Sequence, residues 1–377
     1  MMKLSVSSRA TEEKYLLALG QIIGMDHNSL TALMEAYGSA EEAWHDSRHW
    51  LDVLALSEEK ILGFVHQQKK LDPDAIYRYG EQLGVKITLT SDDDFPSFLR
   101  HVAEPPYFLY YLGTLPNPDN LAIAVVGSRR CTDYGRMATN RIVTDLVEKA
   151  GIHVVNGMAE GIDGVALKSA LRAGGFCSAV LGCGIDVVYP AFHRKLYEAL
   201  KEQGCIFSEF PFGTPGLKHN FPYRNRLISG LSHGILVPEA GRRSGTLHTV
   251  RHGLDQGKNI YAMPGSIFSK MSELPHYLIE SGQAKFAACA EDILEDYIDL
   301  DLVERMYRSN EIDAFQFATN DGERKVLLEL QHGRRTFDEL IAASSLTASQ
   351  LTSFLTRLEI EDAISEAPGN TYMLTNQ

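Results

Sequence analysis

Long apolar runs are missing from this chain. The longest, such as "LAIAVVG" at residues 121–127, are far too short to span a bilayer, which excludes a membrane-spanning helix as the organising element. Paired cysteines are missing too: Cys131, Cys177, Cys183, Cys205 and Cys289 form no CxxC and leave an odd count, which fits a reducing compartment and small core residues. The first residues, "MMKLSVSSRATEEKY", hold no apolar leader segment, so a cytoplasmic location is expected. Cations are scarce. With 36 Lys and Arg against 49 Asp and Glu, the formal charge is −13, which argues against a protein that coats nucleic acid with its whole surface. A basic groove on an acidic body remains open, because association follows local potential. Neither GxGxxG nor H-E-x-x-H occurs; "HTVRH" has two histidines four apart but lacks the glutamate, so neither a dinucleotide nor a metal cofactor is expected.

What is present falls into zones. Residues 1–70 read as short amphipathic helices, "EEKYLLALGQIIG", "NSLTALMEAYG" and "SAEEAWHDS", closed by Gly24 and Gly38. This part is expected to be a SAM-like or helix-hairpin-helix-like domain. Asp26 stands where a second turn glycine would help and would repel phosphate, so packing is favoured over DNA contact. Residues 71–297 open with a connector rich in proline and aromatics, read as extended chain because Pro105 and Pro106 cannot sit inside a helix. From residue 121, β-branched apolar runs alternate with helical segments. That alternation predicts βαβ units in an α/β, Rossmann-like, doubly wound parallel sheet. A charged linker is expected over 298–321. Residues 322–377 then read helix, helix, helix and two strands around "APGN", the order of a winged helix. Nine acids against five Lys and Arg from Asp321 onward, with Arg357 alone on "TASQLTSFLTRLEIED", favour a packing or protein-binding role over DNA binding there.

In an open parallel sheet, ligands bind beyond the carboxyl ends of the strands, so the loops after strands are the candidates. "VVGSRRCTDYG" offers Gly127 for a tight turn, the Ser128 hydroxyl, Arg129 for a bidentate phosphate contact, and the amides of the next helix. Asp163 and Asp186, in the next two loops, are read as helix caps or ties between loops. The most unusual stretch is "LKHNFPYRNR" at 217–226. Lys218, Arg224 and Arg226 are phosphate-contacting types, and Phe221 and Tyr223 are rings on which bases stack. The alternative is that the arginines bridge to acids such as Glu209 and Glu239. No basic helix for a major groove is visible. Ser244, Gly245 and Thr246 open a further helix whose amides could hold an anion.

Taken together, "VVGSRR", "NGMAEGID", "LGCGIDVVYP", "SEFPFGTPG", "FPYRNRLISGLS", "LVPEA", "SGTLHT" and "MPG" are similar, in order and spacing, to the DNA-processing protein A family, DprA, also called Smf. The resemblance covers almost the whole chain. It implies a homodimer through the Rossmann-like domain that binds single-stranded DNA without catalysis. It implies protection of incoming strands in natural transformation, and help in loading the recombinase RecA onto strands covered by single-strand-binding protein. As site residues it implies Arg129 of the GSR loop and the G-x-K-x-x-F set Gly216, Lys218 and Phe221, with Arg224, Asn225 and Arg226 of "RNR" in the same pocket. The chain departs from the family at Leu167, where histidine is usual, and after Gly265, where "SIFSKMSELPHYLIESGQ" replaces a short glycine-containing turn. Both departures are expected to lie away from the groove and to bear on the dimer and recombinase contacts. The competing reading is a nucleotide phosphoribohydrolase, whose PGG-x-GT-x-x-E loop would need a glutamate where Thr249 stands.

Overall fold

A computed structural model describes residues 6–297 and, between 317 and 374, all but 332, 334, 345, 362 and 368. Residues 298–316 of the expected linker lie outside the described residues. The chain divides into two units, residues 1–296 and 297–377.

The first unit begins with helices Val6–Gly20 (α1), His27–Tyr37 (α2), Ala40–His45 (α3), Trp50–Val53 (α4), Glu58–Gln68 (α5) and Pro73–Leu83 (α6). Local chemistry sets their ends. Asp26 caps α2 by accepting the Ser29 amide at 2.9 Å, and Gly38 closes it in the left-handed region at φ 76°. Asp26 is therefore a helix cap. These helices share the unit with the sheet: Gln21 donates to the Tyr110 hydroxyl at 3.0 Å, and Arg9 pairs with Asp92 at 2.8 Å.

The strands are Lys86–Leu89 (β1), Phe108–Gly113 (β2), Ala122–Val125 (β3), His153–Asn156 (β4), Cys177–Val180 (β5), Cys205–Ser208 (β6), Gly234–Val237 (β7), Asn259–Ala262 (β8) and Lys285–Phe286 (β9). Between them lie Asp133–Ala150 (α7), Ile162–Arg172 (α8), Arg194–Gln203 (α9), Asn220–Gly230 (α10), Thr246–Asp255 (α11) and Glu273–Glu280 (α12), with Glu291–Leu294 (α13) after β9. One sheet results, in the order β1-β2-β6-β5-β4-β3-β7-β8-β9. Strands β3 to β9 are parallel, and every residue of β3 to β7 is buried, as helices on both faces require.

The parallel, doubly wound sheet is as expected, and the extended connector joins it: β1 and β2 add an antiparallel pair beside β6. That connector also contains α6. The stretch from Asn220 is not an open segment but helix α10, with Pro222 in its first turn, where its missing N–H costs nothing. The glycines and prolines of "PFGTPGLKHNFP" hide the helical period.

His153 lies on β4 wholly inside the sheet, with its Nε2 2.9 Å from the Ser178 hydroxyl, and burial lowers its pKa to about 3 from an ordinary 6.5. Between those values the unfolded chain binds a proton that the folded chain refuses. Stability is therefore expected to fall as pH drops below 6.5, by about 2 kcal/mol between pH 6.5 and 5 from this residue. Burial shifts His27, His193, His233 and His252 in the same direction. Urea midpoints at pH 7 and 5 measure the loss, and His153→Gln should shrink it.

The second unit holds Asp321–Gln331 (α14), Arg335–Thr336 (β10), Phe337–Ser344 (α15), Ala348–Ile360 (α16), Ile364–Ala367 (β11) and Thr371–Leu374 (β12), with sheet order β10-β12-β11. This is a winged helix around a core that includes Leu327, Leu340, Leu355 and Tyr372. Arg357 of α16 pairs with Glu323, itself only 1% exposed, and donates to the Phe317 carbonyl at 2.9 Å. The one cation of that helix is thus tied to its own domain.

Candidate nucleic-acid interface

The chain runs outward from β3 through β4 and β5 to β6, then returns to place β7 on the other side of β3. Loops leaving β3 and β7 therefore diverge, and the crevice between them is where this sheet type binds ligands. A cleft of about 790 Å³ opens there. Gly127, Ser128, Arg129 and Arg130 come from the loop after β3, and Ala159 and Asp163 from the one after β4. Phe221, Arg224 and Asn225 come from α10, Arg242, Arg243 and Thr249 from β7–α11, and Lys270 and Met271 from the approach to α12.

Phe221 organises one side. Its ring lies against bare backbone at Gly182, where a Cβ would sit 2.7 Å from the ring. At Gly216 a Cβ would come within 3.0 Å of Tyr189 and 3.2 Å of Phe221. That is the physical reason for glycine at Gly216: two rings, with centroids 5.3 Å apart, occupy the space a side chain would need. The exposed Arg129 guanidinium stands 5.4 Å from the Phe221 centroid, and Arg224 stands 5.9 Å from it. Lys218, two residues before α10, is exposed.

Arg224 is a support rather than a surface cation. It is 4% exposed, donates to the Val180 and Gly157 carbonyls, and burial lowers its pKa to about 10. Asp163 shares this floor, accepting from the Gly157 and Ala159 amides at 3.1 and 3.4 Å, while burial pushes its pKa up against the opposing pull of Arg224. Asp186 ties loops in the same way, accepting from Gly213 and the Tyr79 hydroxyl.

Arg226 does not reach the cleft. It is 3% exposed and held by both Glu209 oxygens at 2.6 and 2.7 Å, with Tyr223 stacked at 4.1 Å. For this residue the bridge to an acid is the observed state, and Tyr223 covers that bridge. Residues 224 and 226 lie two positions apart on a helix, hence on different faces.

The helix amides are a second correction. Glu239, 2% exposed, accepts from the Thr132 amide at 2.8 Å and its hydroxyl at 2.6 Å, while the Thr132 hydroxyl accepts the Gly135 amide. An internal carboxylate thus holds the α7 N-terminus. At α11, Ser244 takes the Thr246 amide at 3.2 Å. Ser128 is engaged as well, accepting the Arg130 amide at 3.0 Å and lying 3.2 Å from the Met271 sulfur. What the cleft offers an anion is therefore side-chain cations. Sequence reasoning missed four of them, Arg130, Arg242, Arg243 and Lys270. The adjacent arginines of "SRRC" and "GRRS" after β3 and β7 were the available signal. Lys270 also corrects the view that the segment after Gly265 lies away from the groove. The other departure, Leu167, is fully buried in α8.

This arrangement has relatives. The family model described as DNA recombination-mediator protein A matches residues 86–298, and the DprA winged helix domain matches residues 314–370. The chain belongs to the DNA recombination-mediator protein A family. Protein Smf of Synechocystis is 29% identical over 96% of this chain and 98% of its own. The crystal structure of DNA processing protein A from Streptococcus pneumoniae is similar with a TM-score of 0.66 and 29% identity, covering 78% of this chain and 98% of that one. A Helicobacter pylori relative, whose structure is described as giving insight into a single-stranded DNA binding mode, aligns with a TM-score of 0.51 and 26% identity over 56% of this chain and 96% of its own. Among the described residues no helix is long and apolar enough to cross a membrane, and no group of three or more His, Cys, Asp or Glu is placed to hold a metal ion.

Proposed function

We propose that, within the DNA processing for recombination that its family serves, this chain holds unpaired DNA in the cleft at β3 and β7 and catalyses no reaction. The observation that carries this reading is the exposed Arg129 guanidinium beside the Phe221 ring, an anion contact and a stacking face within one nucleotide's reach. Gly127, Ser128 and Gly216 shape the backbone beneath them, Lys218 adds a second phosphate contact, Asn225 lines the wall, and Arg224 holds the floor. Arg226 is left out of the contact set.

In the cell, this reading has the protein protecting incoming strands in natural transformation. It also helps load RecA recombinase onto DNA covered by single-strand-binding protein, acting as a cytoplasmic homodimer through the sheet domain. The family resemblance supports these finer roles. The winged helix, acidic and with Arg357 engaged by Glu323, serves packing or a protein partner. Against a phosphoribohydrolase stand Thr249, buried where that loop needs a glutamate, and Asp163, whose carboxylate is occupied by amides.

The test is fluorescence anisotropy of the full chain at low salt with dT20 and a 20-base-pair duplex. Stacking on Phe221 contributes about 1–3 kcal/mol per base only when the base is unpaired, so dT20 should bind at least about tenfold more tightly. Equal affinity, or robust release of free base from nucleoside monophosphates, would overturn the reading.

A further inference from the structure

Arg129 and Phe221 account for one side of the cleft. The cleft is also lined by Arg130, Arg242, Arg243 and Lys270, all exposed. Among the described residues none of the four enters an ion pair, whereas many other surface cations of this acidic chain do. Arg242 is propped over the Tyr277 ring at 4.7 Å, which holds its guanidinium without neutralising it. Two acids face this wall. Asp163 is tied to backbone amides, and Glu273 is exposed. The excess of cations is therefore local and uncompensated, in a protein whose formal charge is −13. On this edge Glu239 already takes the Thr132 amide and the Ser244 hydroxyl the Thr246 amide, which leaves these side chains as the cleft's charged contacts for an anion.

We propose that this wall is the second half of the strand track. Phosphates leaving Phe221 pass along Arg130, Arg242, Arg243 and Lys270, so the protein grips a longer strand than the Arg129 side alone can hold. The inference rests on the single-strand reading above and extends it to residues outside the GSR and G-x-K-x-x-F sets. The cations come from three separate loops that line one cleft, and a flexible unpaired strand can follow them from loop to loop.

The experiment is binding of dT5 and dT15 to the full chain across a salt series. The variant is Arg242→Ala/Arg243→Ala/Lys270→Ala, at three exposed positions. A control, Arg141→Ala/Arg172→Ala/Lys201→Ala, removes equal charge from the middle and far ends of α7, α8 and α9. The cleft variant should bind dT5 within about twofold of the parent yet lose at least about tenfold on dT15. Its log–log salt slope for dT15 should be shallower by about 2, from about 0.7 for each lost contact. The control should leave that slope unchanged. A cleft variant with the parent's dT15 slope, or a control that lowers the slope equally, overturns the longer track while leaving the Arg129 site standing. Failure of the parent to bind either strand removes both readings.

Discussion

Arg129→Ala is expected to weaken dT20 binding by roughly 10- to 100-fold at low salt, the range for losing one charge-assisted phosphate contact in a partly enclosed site. The effect exceeds that of a typical surface cation because two things are lost together. The guanidinium can grip phosphate oxygens in pairs, and it also stands beside the Phe221 ring on which a base would stack. Lys218→Ala removes a flexible point charge with no ring contact, so its loss should be smaller, about three- to fivefold. Each variant should reduce the salt slope by about 0.7. Neither side chain is part of the core, so thermal melts should match the parent. Anisotropy titrations at several salt concentrations measure all of this, and unchanged affinity in both variants would remove the proposed interface.

The second large effect is on stability. Arg226→Ala leaves the half-buried Glu209 without its cation and the Ala103 and Glu104 carbonyls without their donor. Breaking a buried pair from one side costs about 3–5 kcal/mol, and at this chain length that is a drop in Tm of roughly 10 °C. Arg226→Met/Glu209→Leu should recover a substantial part, because no uncompensated charge then remains. The fraction that stays folded should bind dT20 as the parent does, since Arg226 does not line the cleft. A stable Arg226→Ala protein that fails to bind DNA would reverse this assignment and return Arg226 to the interface.

Much of the architecture was legible from local pattern. The apolar runs around β3, β4 and β5 gave buried parallel strands, Gly38 gave a helix end, and three helices before "APGN" gave the winged helix. Strands β1, β2 and β9 were not legible: β1 and β2 lie in and beside a proline-rich stretch that reads as connector, and β9 is only two residues long. Within the candidate site, Arg129 and Phe221 could be picked out as chemical types on one sheet edge. The roles of Arg224 and Arg226 could not: a bridge to an acid such as Glu209 was an open alternative, and only the fold shows that Arg226 takes it while Arg224 turns to backbone carbonyls.

What this sequence determined alone was the set of elements, the edge of the sheet that carries function, and the residue types gathered there. These depend on neighbours along the chain, through caps, turn glycines and hydrophobic period. What only the tertiary structure decided was which charges are already spent. Glu239 closes the α7 N-terminus, Glu209 takes Arg226, and Glu323 takes Arg357, while Arg129, Arg242, Arg243 and Lys270 stay outside such pairs among the described residues. The partners of Glu239 and Glu323 lie 107 and 34 residues away, and no local rule reaches that far. Arg226 finds its acid only 17 residues back, but only because α10 turns it toward that carboxylate.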